Sequence, residues 1–140
     1  MSEVSYPTHH NTTNPYESLF GYSRGVRKGP FIFISGTTST STPEPSSESQ
    51  TPVILYPDSA YEQALHIFRT IIHSVEYLGG KREDISRIRM FVRDDADSND
   101  IGRALKESLS DVAPAATMII GAAFVNPAMK VEIEADAVVL

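Results

Sequence analysis

Apolar residues recur along this chain in two periods, every second position in its strands and every third or fourth in its helices, and these periods set out its elements. Over 130–140, Val131, Ile133, Ala135, Ala137 and Val139 point one way while Glu132, Glu134 and Asp136 point the other, the alternation of a half-buried strand. The stretch 85–93 alternates too, with Ile88, Met90 and Val92 on one side and Arg87, Arg89, Phe91 and Arg93 on the other. Phe20, Tyr22 and Val26 predict a first strand over 19–29, and Phe31, Ile32, Phe33 and Ile34 a second, so that Gly29-Pro30 turns a hairpin and Ser35-Gly36 ends it. Ala64, Phe68, Ile71, Ile72, Val75 and Leu78 fall at helical spacing. They predict a core helix opened at Pro57-Asp58-Ser59, with Asp58 as N-cap, and closed by Gly79-Gly80. After an acidic turn over 94–100, Ile101, Ala104, Leu105 and Leu109 mark a shorter helix to about Asp111. The segments 116–124 and 129–140 then read as a closing strand pair joined through Val125-Asn126-Pro127.

The order is β-β-α-β-α-β-β, an α+β fold with a single sheet and two helices on one face. The other face carries Phe91 and mixed charge with nothing to cover it, which suggests that symmetric copies close against one another. Residues 1–18 are polar and read as a flexible tail, so one domain spans 19–140. Within it, every residue from Thr37 to Pro52 is Ser, Thr, Pro, Glu or Gln. Such a stretch has nothing to bury, and 37–54 reads as a low-complexity surface loop.

Composition narrows the functional classes. At 140 residues the chain suffices for one domain that buries roughly two thirds of its unfolded surface. A formal net charge of -6 argues against nucleic acid and anionic membranes as main partners. The absence of cysteine removes disulfides, thiolate nucleophiles and cysteine-held metals. Without a leader or a spanning apolar run, a cytoplasmic location is expected. His9 and His10, adjacent in an extended segment, would point apart and make a poor metal pair. His66 and His73 share a helix face but stand seven apart rather than the four usual for metal ligands.

Glu132, Glu134 and Asp136 are the chemically suggestive group. Neighbours in this ladder are roughly 7 Å apart, where like charges repel by on the order of 2 kcal/mol at an effective dielectric near 20. The face is either solvated, or offset by cations such as Arg87, Arg89 and Arg93, or part of a cleft in which burial lifts a carboxyl toward the general acid/base range.

Five phrases, Phe33-Ile34-Ser35-Gly36, Gln63, Met90-Phe91-Val92-Arg93-Asp94, Pro114-Ala115-Ala116-Thr117 and Val131-Glu132-Ile133-Glu134-Ala135, resemble in order and interval the Rid family of reactive-intermediate deaminases, also called the YjgF-like family. The resemblance runs from about Phe20 to the C-terminus. It implies a chorismate-mutase-like fold and a homotrimer with clefts between subunits. It also implies hydrolysis of imines and enamines to 2-oxo acids and ammonia without metal or organic cofactor. Glu132 matches the family glutamate that handles water and protons, Tyr22 its cleft tyrosine, and Ser35-Gly36 the cleft wall. The family's carboxylate-clamping arginine is replaced by Ala116, beside Thr117. Losing that bidentate pair removes bonds worth roughly 1.5 to 3 kcal/mol each, so a standard 2-aminoacrylate deaminase is not expected.

Three readings follow. The chain acts on an imine or enamine whose carboxylate is absent or held differently, with Arg24 as substitute anion holder unless it is an ordinary surface charge. Alternatively, Glu132 serves another proton transfer, such as a tautomerisation, dehydration or ring closure. Or the trimer is a non-catalytic binding or scaffold protein.

Overall fold

The apolar positions of the two long helices and of three strands meet in one layer. Helix α2 (Ala60–Tyr77) turns Ala64, Ile67, Phe68, Ile71 and Val75 onto the sheet, and α3 (Ser98–Leu109) turns Ile101, Ala104 and Leu109 beside them. Facing them are Ile32 and Ile34 of β3 (Phe31–Thr37), Ile88, Met90 and Val92 of β4 (Ile85–Val92), and Val131, Ile133, Ala135 and Ala137 of β6 (Val131–Val138). In this computed structural model the described residues are 5–41, 46, 48 and 51–140. The remaining strands and α-helix are β1 (His9–His10), α1 (Pro15–Phe20), β2 (Gly25–Lys28) and β5 (Ala115–Ile120), with single 3-10 turns at Arg82–Asp84 and Asp95–Asp97.

The six strands form one mixed sheet in the order β1-β2-β3-β6-β4-β5. The last strand is therefore central, antiparallel to β3 on one side and to β4 on the other. The expected partnership between the two closing strands does not occur. β5 lies parallel to β4, with Arg87 beside Ala115 and Val92 beside Ile120, and is not paired with β6. The reason is the β4-α3-β5 crossover, which lays its second strand parallel to its first. β5 also ends at Ile120, where Gly121 (φ 100) turns the chain, rather than at Phe124.

Three other expectations are corrected. The first strand does not span 19–29, because Leu19 and Phe20 belong to α1. Asn14 caps that helix by accepting from the Tyr16 N–H at 3.0 Å, Pro15 sits at its first position, and Gly21 ends it at φ 77. Only Gly25–Lys28 is left as β2. The cap of α2 is Ser59, whose Oγ accepts from the Glu62 N–H at 3.1 Å, and not Asp58. From residue 6 onward the N-terminal segment is docked rather than loose. The Tyr6 ring covers Gly79 (φ 89), where a Cβ would overlap it, and stacks with the Arg27 guanidinium at 4.6 Å. β1 pairs with β2, burying His10 and leaving His9 outside.

The polar loop is also tied at its root. Thr40 bridges Ile54, and the Ser41 N–H donates to the Val53 carbonyl at 2.8 Å. Most of 42–50 lies outside the described residues.

Candidate functional site

A one-residue bulge sets the site. In the β3–β6 ladder Ile34 pairs with Ala135 but Thr37 pairs with Ile133, so one extra residue of Ser35-Gly36 is inserted on β3. The bulge brings Gly36 against the Glu132 carboxyl. A Cβ on Gly36 would lie 3.0 Å from Cδ and 3.1 Å from Oε1 of Glu132, so a larger residue here would push the carboxyl by a few tenths of an ångström.

The acid ladder divides at this point. Arg89 stands opposite Glu134 in the register and reaches both Glu134 (3.4 Å) and Asp136 (3.1 Å), so the expected compensation by a β4 arginine is present. Glu132 stands opposite Phe91 instead and receives no ion pair among the described residues. Its carboxyl is raised above its ordinary value, first by burial and further by Glu134, while the Arg24 charge opposes the rise.

Glu132 opens into a cavity of about 430 Å³ walled by Tyr16, Phe20, Tyr22 and Phe124, with Arg24 and Gly36 at its polar end. Arg24 is no ordinary surface charge: it is only 7% exposed, and its Nη2 donates to the Gly36 carbonyl at 2.7 Å. The same guanidinium lies over the Tyr22 ring at 5.7 Å. Although Arg24 precedes β2, it continues the ladder. Its N–H donates to the His10 carbonyl and its carbonyl accepts from Ser35.

Of the residues singled out in the sequence, Tyr22, Arg24, Gly36 and Glu132 therefore share one cavity. Ser35 forms the bulge but spends its hydroxyl on the Ser23 carbonyl at 2.7 Å. Ala116 and Thr117 sit on β5, separated from β6 by β4, and do not line this cavity within one chain. Thr117 lies beside Arg89 on the open face, and Ala116 beside Ile88 on the helix side.

Two contributions went unassigned in the sequence. The aromatic walls from α1 were hidden in what resembled a strand. Gln63, fully buried, donates to the carbonyls of Leu55, Tyr56 and Ala128 and accepts from the Lys130 N–H at 3.0 Å. It thereby pins the two segments that carry Ile54 and Met129 into the cavity wall. A buried amide whose two N–H groups meet three carbonyls and whose oxygen accepts from a backbone N–H is a positioning device. Its signal in the sequence is a glutamine on the apolar stripe of a helix. Among the described residues no group of three or more His, Asp or Glu side chains is arranged to hold a metal ion. No helix among them is long and apolar enough to cross a membrane.

Residues 12–139 match the family described as Endoribonuclease L-PSP. A Streptomyces coelicolor protein of uncharacterized function is 27% identical over 125 residues, covering 89% of this chain and 86% of its own. A Mycobacterium tuberculosis protein, described as a member of the YjgF/YER057c/UK114 family, superposes with a TM-score of 0.78 at 27% identity. That match covers 94% of this chain and 98% of the other. A Neisseria meningitidis protein described as a YjgF family member shares the fold, with a TM-score of 0.70 at 21% identity over 94% of this chain and 93% of its own.

Proposed function

The chain belongs to the Endoribonuclease L-PSP (YjgF/YER057c/UK114) family, and from that membership we propose that it is a Rid-type enzyme acting on an imine or enamine intermediate, with Glu132 as general acid/base. The observation that carries this reading is the isolation of Glu132. Of three acids on one strand face, it alone lacks a cation at ion-pair distance and sits in a cavity beside a bulge that fits its carboxyl. A carboxyl raised above its ordinary value and partly withdrawn from solvent exchanges protons with substrate more effectively near neutral pH than an exposed one.

In the hydrolytic direction the Glu132 carboxylate takes a proton from water as its oxygen adds to the imine carbon. The protonated carboxyl returns that proton to nitrogen to give the carbinolamine; the carboxylate then takes the hydroxyl proton and passes it to nitrogen as the C–N bond breaks, and a carbonyl compound and ammonia leave. An enamine first takes a proton at carbon from the same group. Water and one carboxyl suffice for these steps, so no metal or organic cofactor is required. The substrate is non-standard for the family, because Ala116 replaces the clamping arginine. Arg24 is the available anion holder at the cavity's polar end. The net charge of -6 does not favour RNA as substrate, despite the family's description.

The active assembly is a homotrimer in which neighbouring copies cover the open sheet face and complete the cleft. Phe31 and Phe33, each about half exposed there, support that placement. The aromatic walls also favour a second proton-transfer reading, isomerisation or ring closure of a bulkier neutral substrate.

The test generates a 2-imino acid in situ with an amino-acid oxidase and follows ammonia release. Wild-type protein should accelerate it and Glu132→Gln should return the rate to background. Acceleration that survives the substitution would remove Glu132 from the chemistry. Absence of any acceleration by wild type would direct the search to neutral substrates.

A further inference from the structure

Arg24 also borders a second cavity, of about 470 Å³, which shares Arg24, Thr38 and Thr40 with the first but is not lined by Glu132. One wall is a face of α2 carrying His66, Arg69, Thr70 and His73 at spacings of three, four and seven. His10 of β1 closes another side, and hydroxyl-bearing residues from the end of β3 onward fill much of the rest.

The chemistry of this lining is one-sided. In a chain of net charge -6, no carboxylate among the described residues lines the cavity. Arg82, Arg89, Arg93 and Arg103 each meet an acid, whereas Arg24 and Arg69 are in no ion pair among the described residues. Arg24, more than nine-tenths buried, keeps its Nε without any hydrogen-bond partner. A buried guanidinium with an unspent donor is costly, and the group that relieves it is an acceptor carrying negative charge. The nearest acid along the N-terminal segment, Glu17, is itself buried and engaged by the Thr12 N–H (2.7 Å) and hydroxyl (2.5 Å).

We propose that this cavity is a binding site for a small oxyanion, a phosphate group free or carried on a small ester, held by Arg24 and Arg69 and completed by imidazole and hydroxyl donors. The histidines give the site a pH dependence of known sign. His10 is lowered from its ordinary value by burial first, then by His73 and Arg24, with Glu17 opposing; its Nδ1 lies 2.9 Å from the Ser74 hydroxyl. His66 is lowered by burial first and then by Arg69, with a hydrogen bond involving the Thr40 backbone opposing. Both are therefore largely neutral at pH 7 in the empty cavity. An anion favours their protonated forms, so binding takes up protons and tightens as pH falls.

The test is calorimetric titration of the full chain with sulfate, inorganic phosphate and glycerol phosphate, at ionic strength fixed with chloride. Saturable binding at one site per chain is expected, tightening for sulfate, which does not titrate in this range, from about pH 7.5 to about pH 6. Arg69→Gln, at an exposed position whose loss leaves the core intact, should weaken binding about tenfold or more. Glu132→Gln removes a negative charge that Arg24 feels and should not weaken binding, so that an anion bound here is told apart from one that needs the Glu132 carboxyl. Tighter binding of the ester assigns a phosphorylated small molecule, and equal binding assigns free phosphate. No saturable binding of any of the three, unchanged affinity in Arg69→Gln, or equal losses in Arg69→Gln and Glu132→Gln would overturn the proposal.

Discussion

Glu132, Glu134 and Asp136 are like groups on one strand face, and their neighbours decide their behaviour. Arg89 reaches the second and third, while the first sits against Gly36 and is raised by burial. In the unfolded chain Glu132 loses its proton near 4.5, whereas in the fold it retains it to higher pH. The Glu132 contribution to folding stability therefore falls as pH rises from 4.5 through the folded value, and ionised Glu132 is a net cost at neutral pH. Glu132→Gln is expected to raise the melting temperature at pH 7, with the gain disappearing below pH 4.5, as thermal denaturation across that range would show. Loss of stability at neutral pH would contradict the burial argument. Gly36→Ala forces the carboxyl aside. The shift needed is a few tenths of an ångström, and kcat/KM is expected to fall, by up to about tenfold, with the far-UV spectrum unchanged. The acid ladder and its facing arginines were legible in the sequence, because strand alternation fixes sides. Which acid is isolated was not, because that depends on a register and a bulge formed by residues about a hundred positions apart.

Elements were legible where their periodicity was long. α2, β4 and β6 lie close to where alternation or helical spacing puts them, since each buries a full apolar face. α1 was not, because Phe20, Tyr22 and Val26 mimic a strand. The better signal was at its ends, with Asn14-Pro15 to start a helix and Gly21 to stop it. Phe20 is 71% exposed, so burial does not fix the period there. At α2 the bond from the Glu62 N–H to Ser59 Oγ places the cap one residue after the expected Asp58. Ser59→Ala should cost about 1 kcal/mol in urea denaturation, whereas Asp58→Ala should stay within about 0.5 kcal/mol. The reverse order would restore Asp58 as the cap. Gln63→Leu removes all four bonds between α2 and the cavity segments. A loss of about 2 kcal/mol or more is expected, since three carbonyls and an N–H are left without that partner.

At the scale of the whole molecule, the sheet is half covered. Its helix side is a closed core, while its other side shows Phe31, Phe33 and Ile119, each about half exposed, around the Arg89 ion pairs. Light scattering should give three times the mass of one chain, and Phe33→Glu, beside Asp136 in the register, should reduce it toward one. A wild-type monomer at all concentrations would remove the inter-subunit cleft from the account. The uncovered face could be anticipated from the sequence because two helices cannot cover both sides of a sheet. The place of β5 at its edge could not, because neighbours in sequence pair often enough to make a closing hairpin the simpler expectation. The proposed chemistry requires Glu132 to be the one reactive acid of the three. Imine hydrolysis should therefore be compared for Glu132→Gln, Glu134→Gln and Asp136→Asn, each shown to be folded and assembled like wild type. The rate is expected to fall to background in the first and to stay within a few-fold of wild type in the other two. An active Glu132→Gln, or equal losses in all three, would contradict it.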